Sequence, residues 1–328
     1  MEVNLIVTYI IVAFLCFASL HLFIKYAHRF GLSDQPNHRS SHDYIVVRGG
    51  GVVFGLSWFI SCAYNDSLFS IFNLGLLILM IIGLLDDVRG LSSFIRLFFQ
   101  FVSVILLICY FDLFQTYGPF WTVLIILLIT YLINVFNFMD GINGILGLYS
   151  ITILFYLLHY GFSVQEFSYI VLLISVLSFL FFNLRLKAQV FSGDIGSLSI
   201  SYLLVGGLVR SIIESDIETN GFQFMILLII PVSIFFMDSF STIIHRLWLR
   251  ENILLSHRFH LYQILTPRFI SPQPMVSFVY AFMQLLVIYL FNETSDVLIL
   301  FLFLISLFFI FLFTRLVMLR KINLQTGR

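Results

Sequence analysis

The chain has 328 residues, of which 60% are hydrophobic and only 10% are charged, and its formal net charge is zero. Soluble domains carry about 25% charged residues. The composition and the mean hydropathy of +1.05 therefore exclude a water-soluble fold and indicate that the bilayer is the main solvent. The zero net charge also argues against nucleic acid as a partner.

Eleven apolar runs have about the length of a membrane-spanning helix, which needs about 20 residues. Membrane β-strands are excluded because the runs are too long and do not alternate. The sequence therefore predicts an all-α, polytopic membrane protein that forms a single domain over residues 1–328. The runs are approximately 3–24, 46–64, 68–85, 94–111, 120–138, 142–160, 166–184, 196–212, 221–243, 275–292 and 296–317.

Basic residues predict the orientation of these spans, because short cytoplasmic loops are enriched in Lys and Arg. With the N-terminus outside and the C-terminus in the cytoplasm, all of the 17 basic residues except Arg210 fall in inner connections. Ionisable residues at the ends of spans are functional candidates, so we expect an active site that faces the cytoplasm. Polar residues on this side concentrate in the connections 25–51, 86–96, 134–144, 183–197 and 244–274.

The first inner connection combines cationic side chains with three consecutive glycines. Arg39, His42 and Arg48 offer donors to an anion, and Gly50 lies in the middle of the glycine run. Glycine allows a ligand to approach the backbone closely. The Lys-Ser/Thr signature of a Walker A loop is missing, so the segment indicates anion binding without naming the anion.

Two adjacent carboxylates, Asp86 and Asp87, end the third apolar run, and Arg96 follows in the next. Negative charge at a helix C-terminus is unfavourable against the helix dipole, and neighbouring like charges repel each other. A cation or a shared proton relieves both effects. The alternative is an ordinary solvated helix end.

Oxygen-bearing side chains recur at helical spacing in the connection 134–144. Asn134, Asn137 and Asp140 follow one another at intervals of three residues and so share one helix face. Such oxygens suit a hard cation such as Mg²⁺, which takes few protein ligands besides substrate phosphates. A polar helix end without a ligand is the alternative.

A further aspartate, Asp194, stands between two glycines just before a span, shortly after Phe191. From this position its carboxylate is able to reach a metal. The backbone amides that follow lie at a helix N-terminus, which is a natural phosphate site. The alternative is an ordinary N-cap.

The last inner segment contains His257, Arg258 and His260 within four residues. Arg pairs bidentately with phosphate oxygens, and His exchanges protons near neutral pH. Zinc is disfavoured because no third ligand is adjacent, and a basic loop at the membrane surface is the other alternative. Asp238, late in the ninth span, is expected to be either paired inside the bundle or catalytic.

In this order, the motifs resemble those of the polyprenyl-phosphate N-acetylhexosamine-1-phosphate transferase family, glycosyltransferase family 4, over about residues 30–265. The resemblance implies that Asn137 and Asp194 ligate Mg²⁺, with Mn²⁺ as the alternative ion, and that Phe191 stacks on uracil. The catalytic residues that it implies are Asp86, Asp87, Asp140, His257 and His260. The predicted substrate-binding residues, from the motifs and the resemblance together, are Arg39, His42, Arg48, Gly50, Arg96, Asn143, Phe191 and Arg258.

The family transfers a sugar 1-phosphate from a UDP-N-acetylhexosamine to a polyprenyl phosphate and releases UMP. The expected acceptor is undecaprenyl phosphate in a bacterial inner membrane, with membrane lipid around the protein. The segment His257–His260 reads His-Arg-Phe-His rather than consecutive histidines. This favours the surface-polysaccharide branch, which uses GlcNAc or a deoxy relative such as N-acetyl-fucosamine or N-acetyl-quinovosamine. Asn143 stands where many relatives carry Asp.

Two other functions are weighed against this one. A phospho-MurNAc-pentapeptide transferase of peptidoglycan synthesis differs in the sugar. A lipid or solute transporter belongs to another class, and transporters place polar sites near the midplane of the membrane. Here the polar clusters lie at one surface, which argues against transport. The oligomeric state stays open, with a homodimer among the alternatives.

Overall fold

The computed structural model describes residues 2–35, 44–160, 166–215, 218–251, 259–266, 272–291, 294 and 296–326. Four residues of the predicted site, Arg39, His42, His257 and Arg258, lie outside these ranges. The possible roles of these four side chains therefore stay predictions.

The described chain is almost entirely helical, with 3₁₀ turns at Ala27–Phe30 and Ile230–Val232. The α-helices are α1 (Glu2–Tyr26), α2 (Val52–Tyr64), α3 (Ile71–Arg89), α4 (Ser93–Tyr110), α5 (Leu113–Met139), α6 (Ile145–Tyr160), α7 (Glu166–Asn183), α8 (Gly193–Ile213), α9 (Gly221–Ile229), α10 (Ser233–Trp248), α11 (Leu261–Leu265), α12 (Gln273–Phe291) and α13 (Val297–Thr326).

These helices confirm the predicted class of an all-α, polytopic membrane protein. Within the described ranges, nine helical segments are long and apolar enough to cross a membrane, with α9 and α10 forming one of them. Two further apolar helices, α2 and α6, are shorter. Each of the eleven predicted runs coincides with one of these segments. The count of spans and the outside position of the N-terminus stay predictions.

Helix α8 lies at the centre of the bundle, where it packs against α2, α3, α5 and α6. Every residue of α8 from Gly193 to Val209 is buried. The helix is rich in glycine and serine, and such small residues let neighbouring helices approach closely in membranes. Its serine hydroxyls bond to carbonyls of their own helix, as Ser199 does with Ile195 at 2.6 Å. The first turn of α8 is therefore a fixed point for the elements around it.

The end of α3 and the segment before α2 both lie directly against the backbone of this first turn, with no side chain in between. A Cβ on Gly51 would lie 2.2 Å from the Cα of Gly196, and a Cβ on Gly83 would lie 2.5 Å from the Cα of Ile195. No side chain fits at such distances, so the glycines are needed for close packing. As a result, the end of α3 and the segment before α2 meet the beginning of α8.

A small pairing of extended segments reinforces this contact. Strands β1 (Ser33–Asp34) and β2 (Val46–Val47) are antiparallel, and Val47 also bridges to Val190. The amide of Phe191 donates to the carbonyl of Val47 at 2.8 Å. The sequence analysis did not predict this pairing, because two residues are too few to show the alternation of a strand.

The span formed by α9 and α10 is interrupted at Pro231, which has no amide hydrogen to continue a helix. Gln284 of α12 satisfies the backbone groups around the interruption. Its Nε2 donates to the carbonyl of Ile230 at 3.1 Å, and its Oε1 accepts from the amide of Ile234 at 3.0 Å. The start of α10 is thereby fixed against α12.

Candidate active site

The carboxylate of Asp87, at the end of α3, caps the beginning of α8. It accepts hydrogen bonds from the amides of Asp194 at 2.9 Å and Ile195 at 3.1 Å. The first amides of a helix have no partner within the helix, and its dipole favours a negative charge there. The Nε of Arg48 lies 2.7 Å from the same carboxylate and balances its charge. The two amides, which the sequence analysis offered to a phosphate, are therefore used by Asp87.

Gly193 makes this cap possible. Its φ of 71° lies in the left-handed region, which glycine adopts readily. A Cβ at this position would also lie 2.3 Å from Oδ2 of Asp87 and 2.8 Å from the Cα of Gly49. The glycine before Asp194 is thus required by both the backbone conformation and the approach of α3.

The carboxylates of Asp86 and Asp194 face the same guanidinium. Nη1 of Arg96 lies 2.9 Å from Oδ2 of Asp86 and 3.5 Å from Oδ2 of Asp194. Arg48 also approaches Asp194, with 3.7 Å between Nη2 of Arg48 and Oδ2 of Asp194. The side chains of Arg48 and Arg96 remain 37% and 30% exposed, so both arginines line the open edge of the cluster.

Asp140, at the end of α5, joins the cluster through the hydroxyl of Ser192, which donates to its carboxylate. Burial raises the pKa of the Asp140 carboxyl to about 7, although this hydrogen bond and the charge of Arg48 oppose the shift. A carboxyl group with such a pKa exchanges protons near physiological pH. The side chain of Asn137, about one turn earlier, is partly exposed and hydrogen bonds to no other residue in the described ranges.

The charge and chemistry of this cluster fit a divalent cation. Among the described residues, the cluster gathers four aspartates and two arginines, so carboxyl groups outnumber guanidinium groups. No three His, Cys, Asp or Glu side chains of the described chain are arranged to hold a metal by themselves. Mg²⁺ usually keeps waters and binds substrate phosphates, so it needs few protein ligands, and the side-chain oxygens of the predicted pair Asn137 and Asp194 suit its chemistry. Asn137 lies three residues before Asp140, and Asp194 lies two residues after Ser192. The hydrogen bond between Ser192 and Asp140 therefore joins the segments that carry them.

Asn143 is buried and links three parts of the structure. Its Nδ2 donates to the carbonyls of Arg185 at 2.7 Å and Leu186 at 3.4 Å. Its backbone amide donates to Oε1 of Gln273 at 3.0 Å. An aspartate would present oxygen to these carbonyls and donate nothing, so asparagine has a structural reason here. Its predicted contact with substrate stays a prediction.

Gly50 and Phe191 are also in contact through their backbones. The amide of Gly50 donates to the carbonyl of Phe191 at 2.9 Å. A Cβ on Gly50 would lie 2.4 Å from Cγ2 of Val190, so close packing accounts for this glycine. The side chain of Phe191 is partly exposed. Substrate binding by either residue stays a prediction.

His260 begins α11 and is buried, with 3% of its side chain exposed. Its Nδ1 lies 3.3 Å from the hydroxyl of Thr242, and that hydroxyl donates to the carbonyl of Asp238 at 2.6 Å. We therefore assign Nδ1 as the protonated nitrogen, which donates to Thr242. The ring stacks near Phe138, with 6.4 Å between centroids, which brings His260 beside the segment of Asn137.

For Asp238, the structure shows the paired alternative. Nη2 of Arg315 lies 2.7 Å from Oδ1 of Asp238, and both side chains are fully buried. Counting Arg315 as part of an inner connection was wrong, because it lies inside α13 and its charge is neutralised in the bundle. The sequence analysis also missed Tyr280, whose hydroxyl donates to Asp238 at 2.8 Å. In the sequence, these two partners of Asp238 are marked only by being polar residues within apolar runs.

The fold and this cluster define a multi-pass membrane protein with an acidic site at one end of its bundle. The family described as "Glycosyl transferase family 4" matches residues 69–212. The chain is also 27% identical over 263 residues to the probable undecaprenyl-phosphate N-acetylglucosaminyl 1-phosphate transferase of Bacillus subtilis (strain 168), an alignment covering 73% of this chain and 70% of that protein. Both similarities agree with the resemblance inferred from the motifs.

Replacing Asn143 by aspartate should lower the thermal stability of the protein. The change removes a donor to two buried carbonyls and adds a charge beside them, and a buried polar group left unpaired costs about 1–3 kcal/mol. Asn143→Ala is the matched control, because it removes the donor without adding a charge. The melting temperature in detergent should be highest for wild type, lower for Asn143→Ala and lowest for Asn143→Asp. Wild-type stability of Asn143→Asp would contradict the assigned hydrogen bonds.

Proposed function

We propose that this protein transfers an N-acetylhexosamine 1-phosphate from a UDP-sugar to undecaprenyl phosphate at the cytoplasmic face of a bacterial inner membrane. The observation that carries the proposal is the convergence of Asp86, Asp87 and Asp194 with two arginines at the first turn of α8. These aspartates lie inside the segment that matches the family. The name of the Bacillus subtilis relative supports the same acceptor and a GlcNAc donor.

The proposed reaction joins two anions. An oxygen of the lipid phosphate attacks the β-phosphorus of the UDP-sugar, the new phosphorus–oxygen bond forms, and the bond from that phosphorus to the bridging oxygen breaks. UMP leaves with the bridging oxygen. Mutual repulsion opposes this encounter, so cationic donors must hold both phosphates. Arg48 and Arg96 are partly exposed at the edge of the cluster and fit this task, since guanidinium groups bind phosphate bidentately.

The two neighbouring aspartates have different surroundings, and we assign them different roles. The side chain of Asp87 is fully buried, and both its oxygens accept amides of α8. It therefore holds Asp194 in place. Asp86 faces Arg96 with 7% of its side chain exposed, so it is the one that orients the lipid phosphate and accepts its proton. The second ionisation of a phosphate monoester has a pKa near 6, so a strong base is not required.

The donor set includes residues for a divalent ion. Asn137 and Asp194 would hold Mg²⁺, with Mn²⁺ as the alternative, and the bound ion would screen the diphosphate and stabilise the leaving UMP. Asp140, whose carboxyl has a pKa raised to about 7 by burial, lies three residues after Asn137 and accepts a hydrogen bond from Ser192, and it is able to exchange a proton. His260 would contact a phosphate from the side of α11. Phe191 would stack on the uracil ring.

The expected donor is UDP-GlcNAc or a deoxy relative, and the product would begin a surface polysaccharide such as O-antigen. Purified protein with Mg²⁺, undecaprenyl phosphate and a radiolabelled donor should form a lipid-linked sugar phosphate. The donors to compare are UDP-GlcNAc, UDP-N-acetyl-fucosamine, UDP-N-acetyl-quinovosamine and UDP-MurNAc-pentapeptide. Product from the last donor alone would assign the protein to peptidoglycan synthesis, and no product from any donor would overturn the proposal.

Asp194→Asn should reduce this activity at least about 100-fold, because one carboxylate of the phosphate and metal site is lost. Asp86→Asn should have a comparable effect. Asp112→Asn is the matched control, since Asp112 begins α5 at the other end of the bundle and asparagine tolerates its positive φ of 50°. Full activity of Asp194→Asn beside an unchanged Asp112→Asn would refute the role of Asp194.

A further inference from the structure

A buried ion pair inside the bundle has no part in the site described so far. Arg315 of α13 donates from Nη2 to Oδ1 of Asp238 at 2.7 Å and to its carbonyl at 2.9 Å. Its Nη1 donates to the hydroxyl of Ser241 at 2.9 Å. Charges inside a membrane bundle are costly, and apolar residues of the same size often give equal or greater stability. Stability alone therefore does not account for the pair.

Asp238 uses its remaining hydrogen-bonding capacity to fix a short helix. Its oxygens accept the amides of Leu261 at 2.8 Å and Tyr262 at 3.2 Å, which begin α11. The hydroxyl of Tyr280 in α12 donates to Oδ2 at 2.8 Å. A helix of five residues is not stable by itself, so the position of α11 depends on contacts of this kind.

Helix α11 in turn lies directly on the motif at the end of α5. The hydroxyl of Tyr262 donates to the carbonyl of Phe138 at 2.9 Å. A Cβ on Gly141 would lie 2.2 Å from the same hydroxyl oxygen, so this position has room only for glycine unless Tyr262 moves. His260 precedes α11, and its Nδ1 lies 3.9 Å from Oδ1 of Asp238. The contacts thus form a continuous connection from Arg315 to the segment that carries Asn137 and Asp140.

We propose that Asp238 and Arg315 are positioning residues for the transfer reaction, which hold α11 and His260 against the segment Asn137–Asp140. This inference rests on the proposed function. In this proposal neither residue touches substrate: Asp238 acts through the amides of α11, and Arg315 holds the Asp238 carboxylate in its orientation. Loss of the pair lets α11 move away from α5 while the rest of the bundle stays folded.

The mildest test removes one hydroxyl from the far end of this connection. Tyr262→Phe keeps the ring and leaves the ion pair intact, so we expect normal folding and a fall in kcat of between about tenfold and 100-fold, as for other small displacements of catalytic groups. The control is Tyr202→Phe, which also removes a buried hydroxyl that donates to a carbonyl, that of Phe72 at 3.1 Å. It should retain the wild-type kcat, and an equal kcat for the two variants would overturn the inference.

The ion pair itself is tested with a double variant, because a single change leaves a buried charge without a partner and can unfold the protein. Asp238→Asn with Arg315→Met removes both charges and keeps the side chains similar in size. We expect kcat to fall by at least about tenfold, with the melting temperature in detergent near that of wild type. The single variant Arg315→Lys keeps the positive charge beside Asp238, so its kcat should lie between those of the double variant and wild type. Wild-type kcat in the folded double variant would overturn the inference.

Hydrogen exchange separates this inference from the proposed function. In the double variant, the amides of Leu261 and Tyr262 should exchange faster than in wild type, while the amides of α8 should stay protected. Unchanged exchange at Leu261 and Tyr262 would refute the positioning role even if the wild-type protein transferred sugar phosphate. If the double variant exchanged faster but the wild-type protein had no transferase activity, the proposed reaction would be refuted. The positioning role in that reaction would then be refuted as well.

Discussion

The carboxylate of Asp87 lies between the first amides of α8 and the guanidinium of Arg48, and the arrangement of the site depends on this contact. Helix α8 is buried in the middle of the bundle, and its first amides have no partner within the helix. A carboxylate from α3 satisfies them and joins the two helices at one end. Asp194 is then fixed beside Asp86, and the glycines on both sides are explained by how closely the two helices approach.

The same arrangement occurs a second time in the structure. Asp238 of α10 caps the amides of α11, and Arg315 balances its charge as Arg48 does for Asp87. In both cases a buried carboxylate caps the start of a helix beside a residue of the candidate site, Asp194 in one and His260 in the other. Both capped segments contact the end of α5, one through Ser192 and the other through Tyr262. These contacts fix the end of α5 against both segments.

The sequence predicted the class of fold and much of the site's membership. Apolar runs of spanning length are a strong signal, and each of them is a helix in the structure. The acidic pair and Asp194 were expected to meet, because their motifs lie at helix ends on one predicted side. The partners within the cluster were not predictable from spacing, since Asp87 contacts amides that lie more than 100 residues away in the chain.

Residues with two plausible roles were the hardest to interpret from the sequence. Asn143 was predicted to contact substrate, and the structure adds a second role, because its side-chain amide donates to the backbone carbonyls of Arg185 and Leu186. Arg315 looked like a charge at the membrane surface, but its partner is an aspartate in another helix. In both cases the decisive contact is made to an element distant in sequence. Local pattern carries no information about such contacts.

The central claim of the proposed function is that Asn137 and Asp194 hold one divalent ion for the diphosphate of a UDP-sugar. Titration with Mn²⁺, followed by electron paramagnetic resonance in the presence of UDP-GlcNAc, measures ion binding without any turnover. The account predicts one bound Mn²⁺ per chain in wild type and in Asp112→Asn, and loss of this binding in Asp194→Asn. Equal Mn²⁺ binding by wild type and Asp194→Asn would contradict it.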